Sequence, residues 1–107
     1  PFKEAIGKLE QLQKEKPEAK EYYSRLVDIF REYIDAKKGI HSLQATADDL
    51  IVKLKSLHMP AEQLDDLIQS LKVADFVKFA KYVPSAEEDK KIFTVIYTSI
   101  QQIEQMQ

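Results

Sequence analysis

Apolar residues recur at intervals of three and four along almost the whole chain, a pattern that predicts amphipathic helices. From Phe2 to about Lys16 these positions are Phe2, Ala5, Ile6, Leu9 and Leu12. A second helix is predicted from about Glu18 to Lys38, with one apolar stripe made by Tyr22, Leu26, Ile29, Phe30, Tyr33 and Ile34. Pro17 separates the two helices. Lys37-Lys38-Gly39 predicts a helix end, because cations favour the negative end of the helix dipole and glycine adopts left-handed backbone angles.

The middle of the chain predicts two more helices after a connector at residues 40–45. The hydroxyl of Thr46 is suited to cap a third helix, whose apolar face is made by Leu50, Ile51, Leu54 and Leu57. His58-Met59-Pro60 interrupts the pattern. A fourth helix is predicted to begin near Ala61, with an apolar stripe of Leu64, Leu67, Ile68 and Leu71.

Residues 74–83 carry more apolar side chains than a one-sided helix needs. At about 100° per residue, one face is made by Phe76, Phe79, Ala80 and Val83, and Ala74 and Val77 extend it sideways. Only the strip of Asp75, Lys78 and Lys81 remains for water. The stretch is therefore predicted to lie near the middle of the domain. The apolar spacing drifts at Lys72-Val73, which favours a kink or break there, with Asp75 capping a short separate helix.

Pro84 ends this stretch, and the last helix is predicted to start at Ser85, which stands three residues before Glu88 as in a capping box. Its apolar positions are Ile92, Val95, Ile96, Ile100 and Ile103. No period-two alternation bounded by hairpin turns occurs in the sequence. The prediction is an all-α fold, in which residues 1–107 form a single compact bundle of five or six helices without a sheet.

Composition narrows the possible functions. Sixteen basic and 18 acidic residues are interleaved to a net charge of −2, so no basic face for nucleic acid is expected. The chain has no cysteine and therefore no disulfide framework. No apolar run reaches the roughly 18 residues of a membrane span. Because the chain begins at Pro1 rather than methionine, it is expected to be an excised piece of a longer protein.

Candidate catalytic and metal-binding groups are few. His41 and His58 lack the four-residue helical spacing that places two imidazoles on one metal. Asp48-Asp49 and Asp65-Asp66 stand at predicted helix starts, where the helix dipole already favours carboxylates. Residues 46–71 resemble a helix–turn–helix, but acidic groups in the first turns of its second helix would repel phosphates. The predictions are no enzymatic activity, no cofactor, no metal and no nucleic acid.

Aromatic residues remain as candidates for contacts with a partner. Most of them lie at helical spacing, which core packing explains. Tyr23 and Tyr82 fall off the main apolar faces and are predicted to be the exposed ones. An exposed aromatic side chain is a possible anchor for a protein partner.

Two segments resemble a known bacterial protein family. Glu21-Tyr22-Tyr23-Ser24-Arg25-Leu26 through Phe30-Arg31-Glu32-Tyr33-Ile34 is similar to a "YY-x-x-L-x-x-I-[LF]-REYI" segment. Residues 74–82 with Pro84 are similar to an "AD-[FL]-VKFAK-x-x-P" segment. Both occur in the C-terminal cytosolic helical domain of membrane proteins from the Bat (aerotolerance) gene clusters. The intervening linker departs from the family pattern, with His41 in place of proline, Gln44 of glutamate, Ala45 of methionine and Ala47 of threonine.

The resemblance implies a cellular location and partner proteins rather than an enzymatic activity. It implies a helical interaction domain at the cytoplasmic face of the inner membrane, held there by a segment upstream of this chain. The implied partners are the MoxR-type ATPase and von Willebrand A-type proteins encoded in the same clusters. The expected interaction or signature residues are Arg31, Tyr33, Asp75, Lys78 and Lys81. The alternative is a structural spacer or homo-oligomerisation module.

A specific contact between the two segments is also expected. The Arg31 guanidinium is suited to form a bidentate pair with the carboxylate of Asp75. Solvated surface charge at Arg31, Lys78 and Lys81 is the competing interpretation.

Overall fold

Five helices run through residues 1–39, 46–80 and 82–106, the part of the chain that this computed structural model describes. They are α1 (Phe2–Glu15), α2 (Ala19–Lys38), α3 (Ala47–Lys55), α4 (Ala61–Ala80) and α5 (Ala86–Gln105). These residues contain no strand, and the predicted all-α bundle is confirmed. The predicted connector at residues 40–45, with His41, Gln44 and Ala45, lies outside the described residues.

The helices begin and end where the sequence places strong local signals. Thr46 caps α3 by accepting the Asp49 backbone N–H at 3.2 Å, and Ser85 caps α5 by accepting that of Glu88 at 3.1 Å. Gly39 ends α2 with a left-handed φ of 67°. Each cap satisfies backbone groups that have no partner within the helix. The predicted helix ends at these three positions are confirmed.

The centre of the bundle is α2, which packs against α1, α4 and α5. Its buried residues are Tyr23, Leu26, Val27, Ile29, Phe30, Tyr33 and Ile34. The short α3 packs against α4, and α1 also contacts α5. The radius of gyration is 12.8 Å, close to the ~13 Å expected for a compact domain of this size.

The prediction that residues 74–83 lie near the middle of the domain was wrong. Phe76 and Phe79 are 64% and 79% exposed, although Ala74 and Val77 are buried. The predicted kink near Lys72-Val73 is also wrong, because α4 is one helix from Ala61 to Ala80. A single buried stripe explains both results, since apolar positions keep intervals of three and four along the helix at Leu67, Leu71, Ala74 and Val77.

Two tyrosines of α2 hold α5 against the centre. The Tyr23 hydroxyl donates to Asp89 Oδ1 at 2.6 Å, and the Tyr33 hydroxyl donates to Glu104 Oε1 at 2.8 Å. Tyr23 is fully buried, so the prediction that it is exposed was wrong. The prediction followed the apolar stripe of α2 and ignored that a buried tyrosine needs only one acceptor for its hydroxyl. Asp89 supplies that acceptor from the first turns of α5.

Candidate docking surface

Most of the large apolar side chains that are exposed among the described residues lie close together in sequence, from the last turns of α4 to the start of α5. Phe76, Phe79, Tyr82 and Val83 form this group, which is called the aromatic patch below; Val52 of α3 is the other such residue. Val83 is 73% exposed. Large apolar side chains that are exposed this close together in the sequence are candidates for an interaction site. The patch is therefore the first candidate for a functional surface.

The register of α4 explains why the two phenylalanines point outward. The buried stripe fixes one side of the helix on the core. Phe76 stands nine residues after Leu67, which at 100° per residue puts it about 180° from Leu67 around the helix axis. Phe79 lies on the same outer side. High local apolar content therefore results from two different faces, of which only one is covered.

Lys78 contributes positive charge beside the patch. Its Nζ lies 5.4 Å from the centre of the Phe79 ring, within the range of a cation–π interaction. Such a contact tends to hold the phenylalanine ring and the ammonium group together on the surface. Lys78 was predicted as an interaction residue, and its position next to an exposed aromatic ring is compatible with that role.

The other predicted site residues are spread over the molecule. Asp75 is half-buried on α4, and no hydrogen bond or ion pair joins it to Arg31 within the described residues. Tyr33 is buried and bonds Glu104, whose carboxylate also lies 3.3 Å from Lys37 Nζ. Its side chain therefore faces the interior rather than a partner. Lys81 lies outside the described residues.

A cleft of about 860 Å³ adjoins the patch. Val83 belongs to both, and the cleft extends from there to the α1–α2 connection and the first half of α5. Its apolar wall is made by Pro17, Ala19, Tyr22, Val83, Pro84 and Phe93. Pockets that enclose ligands are typically about 300–1,000 Å³, so this space can hold several apolar side chains.

The charges that line the cleft differ in how far they are already paired. Asp89 accepts the hydrogen bond of Tyr23. Burial, together with Asp89, raises the pKa of the Tyr23 hydroxyl far above its ordinary value, so the hydroxyl remains a donor at neutral pH. Lys16 and Lys90 are exposed and make no ion pair within the described residues. The lining of the cleft therefore carries two lysines and one carboxylate, a net positive charge.

The link between the patch and α5 is held by a hydrogen bond. The Tyr82 hydroxyl donates to Glu88 Oε1 at 2.6 Å, which raises the pKa of this tyrosine. In a complete capping box the glutamate would turn back to the serine that begins the helix. Here the serine half forms as predicted, and the Glu88 carboxylate binds Tyr82 instead. Tyr82 is partly exposed, as predicted.

Sequence reasoning missed the cleft because its parts come from three distant segments. Residues 16–22, 83–86 and 89–94 meet only after α5 folds back along α1 and α2. No local motif marks Lys16, Lys90 or Phe93 as neighbours. Pro17 and Pro84, which were interpreted only as helix breaks, are the one local signal, since both lie in its wall.

The other candidate catalytic and metal-binding groups that the structure describes do not line the cleft. Within the described ranges, no three histidine, cysteine, aspartate or glutamate side chains come close enough to hold a metal ion. His58 is exposed just beyond α3. None of the described helices combines the length and the hydropathy needed to cross a lipid bilayer. Comparisons of the chain with protein-family models, with curated proteins and with solved structures found no match.

Proposed function

We propose that this chain is a non-enzymatic protein-interaction domain that uses the aromatic patch to bind its partner. The exposure of Phe76, Phe79 and Val83 carries the proposal. Aromatic side chains are enriched at the centres of protein interfaces, where a few of them supply most of the binding energy. Two exposed phenylalanines lower the solubility of a folded domain, and because they remain in water they add little to its stability.

The resemblance of residues 74–84 to the Bat family segment suggests where the domain acts. The patch lies within this segment, and its two phenylalanines are not part of the core. The proposed setting is the cytoplasmic face of the inner membrane, where an upstream segment anchors the protein. The proposed partners are a MoxR-type ATPase or von Willebrand A-type proteins.

The proposal is tested with the full-length protein and its purified candidate partners. Replacing both phenylalanines, as Phe76→Ser with Phe79→Ser, is expected to weaken binding at least thirtyfold, because even one central aromatic anchor contributes about 2 kcal/mol. Biolayer interferometry against each partner measures the affinity. Val52→Ser is the matched control, since Val52 is 67% exposed but lies on α3.

Three outcomes contradict parts of the proposal. Equal affinity of the double variant and the control removes the patch as the binding surface. Failure of the wild-type protein to bind any of these partners removes the partner assignment. A concentration-dependent dimer in sedimentation, abolished by the double variant, would show that the patch serves self-association instead.

A further inference from the structure

We propose that the cleft beside the aromatic patch binds an acidic, amphipathic peptide segment of the partner. In this complex apolar side chains of the segment fill the cleft between Tyr22, Val83 and Phe93, and its carboxylates pair with Lys16 and Lys90. The inference rests on the proposed function and specifies the chemistry of the partner. Its basis is the combination of an apolar cleft with two lysines that form no ion pair within the described residues.

The shape of the surface favours an extended ligand. Val83 lines the cleft and is also an exposed residue of the patch, so the two features share a residue: the cleft is the concave part of the surface, and the exposed side chains of the patch are the protruding part. A small molecule would occupy only the concave part and leave Phe76 and Phe79 in water. A peptide segment can place side chains in the cleft and lay its remaining apolar face against the two phenylalanines.

The charges around this surface favour carboxylates in the ligand. Lys16 and Lys90 lie at the cleft, and Lys78 lies beside Phe79. The acidic group that lines the cleft, Asp89, already accepts the Tyr23 hydroxyl, and neighbouring Glu88 accepts the Tyr82 hydroxyl. Two lysines and one carboxylate line the cleft, so its net charge attracts a ligand carboxylate more than a ligand cation.

The same charges argue against the two other occupants. In a dimer that places Phe79 of one copy in the cleft of another, Lys78 would approach Lys16 and Lys90 of the second copy. Like charges brought together in this way weaken association. An anionic bilayer would meet the lysines, but a flat lipid surface cannot fill the concave wall formed by Pro17, Tyr22 and Phe93.

The test uses a random peptide library displayed on phage. It is panned against the wild-type protein and against a charge-reversed variant carrying Lys16→Glu and Lys90→Glu. The control variant carries Lys3→Glu and Lys55→Glu, two exposed lysines away from the cleft that give the same change in net charge. Selected peptides are synthesised and measured by fluorescence anisotropy, and their contacts are mapped by backbone amide shifts.

The wild type and the control are expected to select peptides in which glutamate or aspartate flanks leucine or phenylalanine. The charge-reversed variant should bind these peptides about tenfold more weakly at low salt, with a smaller difference at about 1 M salt, because exposed ion pairs are weak and screened. It should instead select peptides that carry lysine or arginine. Amide shifts should concentrate at residues 16–22, 76–79 and 83–94.

Selection of neutral or basic peptides by the wild type, or no enrichment at all, overturns the inference. The surface would be assigned to lipid if the wild type selects no peptides but binds phosphatidylglycerol vesicles, and if Lys16→Glu with Lys90→Glu abolishes this vesicle binding. If these substitutions leave binding to the protein partner unchanged while Phe76→Ser with Phe79→Ser removes it, the inference fails and the proposed function stands. If the wild type selects acidic peptides but binds none of the proposed partners, the inference stands and the partner assignment of the proposed function fails.

Discussion

Two aromatic pairs with the same spacing have opposite environments in this protein. Phe30 and Tyr33 of α2 are buried, whereas Phe76 and Phe79 of α4 are exposed. Each pair is three residues apart, and each helix is 20 residues long. Spacing shows which residues share a face, but the neighbouring helices decide which face is covered. Both residues of the α2 pair belong to the core, and Tyr33 bonds Glu104 of α5, whereas the α4 pair lies on the side of its helix away from the buried stripe.

The first prediction tests this difference with one substitution in each pair. Phe30→Ala is expected to lower the free energy of unfolding by about 3–5 kcal/mol, because it leaves a cavity at the centre of the bundle. Phe79→Ala should change it by less than about 0.5 kcal/mol, since the side chain is mostly in water. Urea unfolding followed by circular dichroism measures both. Similar losses for the two variants would mean that Phe79 packs against the core.

The second prediction compares two tyrosines that bond adjacent carboxylates of α5. Tyr23→Phe is expected to cost about 1–3 kcal/mol, because it removes the hydroxyl that satisfies Asp89 at a largely buried position. Tyr82→Phe should leave the urea midpoint unchanged, because water replaces the lost hydrogen bond to Glu88. The two variants differ from wild type by one oxygen atom each. An equal shift of both midpoints would contradict the assigned difference in burial.

The third prediction is a smaller effect, seen as alkaline pH dependence. Burial, with hydrogen bonds to Asp89 and Glu104, raises the pKa of Tyr23 and Tyr33 in the folded state. In the unfolded chain these tyrosines titrate near pH 10. Above that pH the unfolded state releases protons that the folded state keeps, so the contribution of the two tyrosines to the free energy of unfolding is fully present below about pH 10 and is lost as the pH rises toward the folded pKa. Unfolding free energies measured between about pH 9 and pH 11 should therefore fall more steeply in wild type than in Tyr23→Phe.

Tyr82→Phe serves as the control for this titration, because Tyr82 is partly exposed and its loss should leave most of the slope in place. All other titrating groups are common to the wild type and the two variants, so their contribution to the slope is the same. A slope unchanged in Tyr23→Phe would show that this hydroxyl ionises as readily in the folded protein as in the unfolded chain.

Local signals predicted most of the helices and their ends. Thr46, Gly39 and Ser85 act through backbone groups within a few residues, so the sequence around each was sufficient. The position of residues 74–83 was not predictable from local apolar content. It depends on which face of α4 continues the stripe that begins at Leu67, and on the helices that pack there.

The candidate surface could be predicted only in part. Residues 74–82 drew attention through their resemblance and their charges, and Lys78 does lie beside an exposed ring. The predicted exposure of Tyr23 was wrong, because the side chain is buried and its hydroxyl donates a hydrogen bond to Asp89, 66 residues away in sequence. The cleft forms only when Lys16, Val83 and Phe93 come together in the fold. Helix packing brings them together, so no single segment of the sequence predicts it.

The bonds from Tyr23 to Asp89 and from Tyr33 to Glu104 also fix the register of α5 along α2. One contact alone would permit α5 to pivot, whereas two contacts near its opposite ends oppose both pivoting and sliding. A shift by one helical turn, about 5.4 Å, would break both bonds together. Because Phe93 and Lys90 project from this helix, the cleft keeps its shape before any ligand arrives, and little binding energy is lost in forming it.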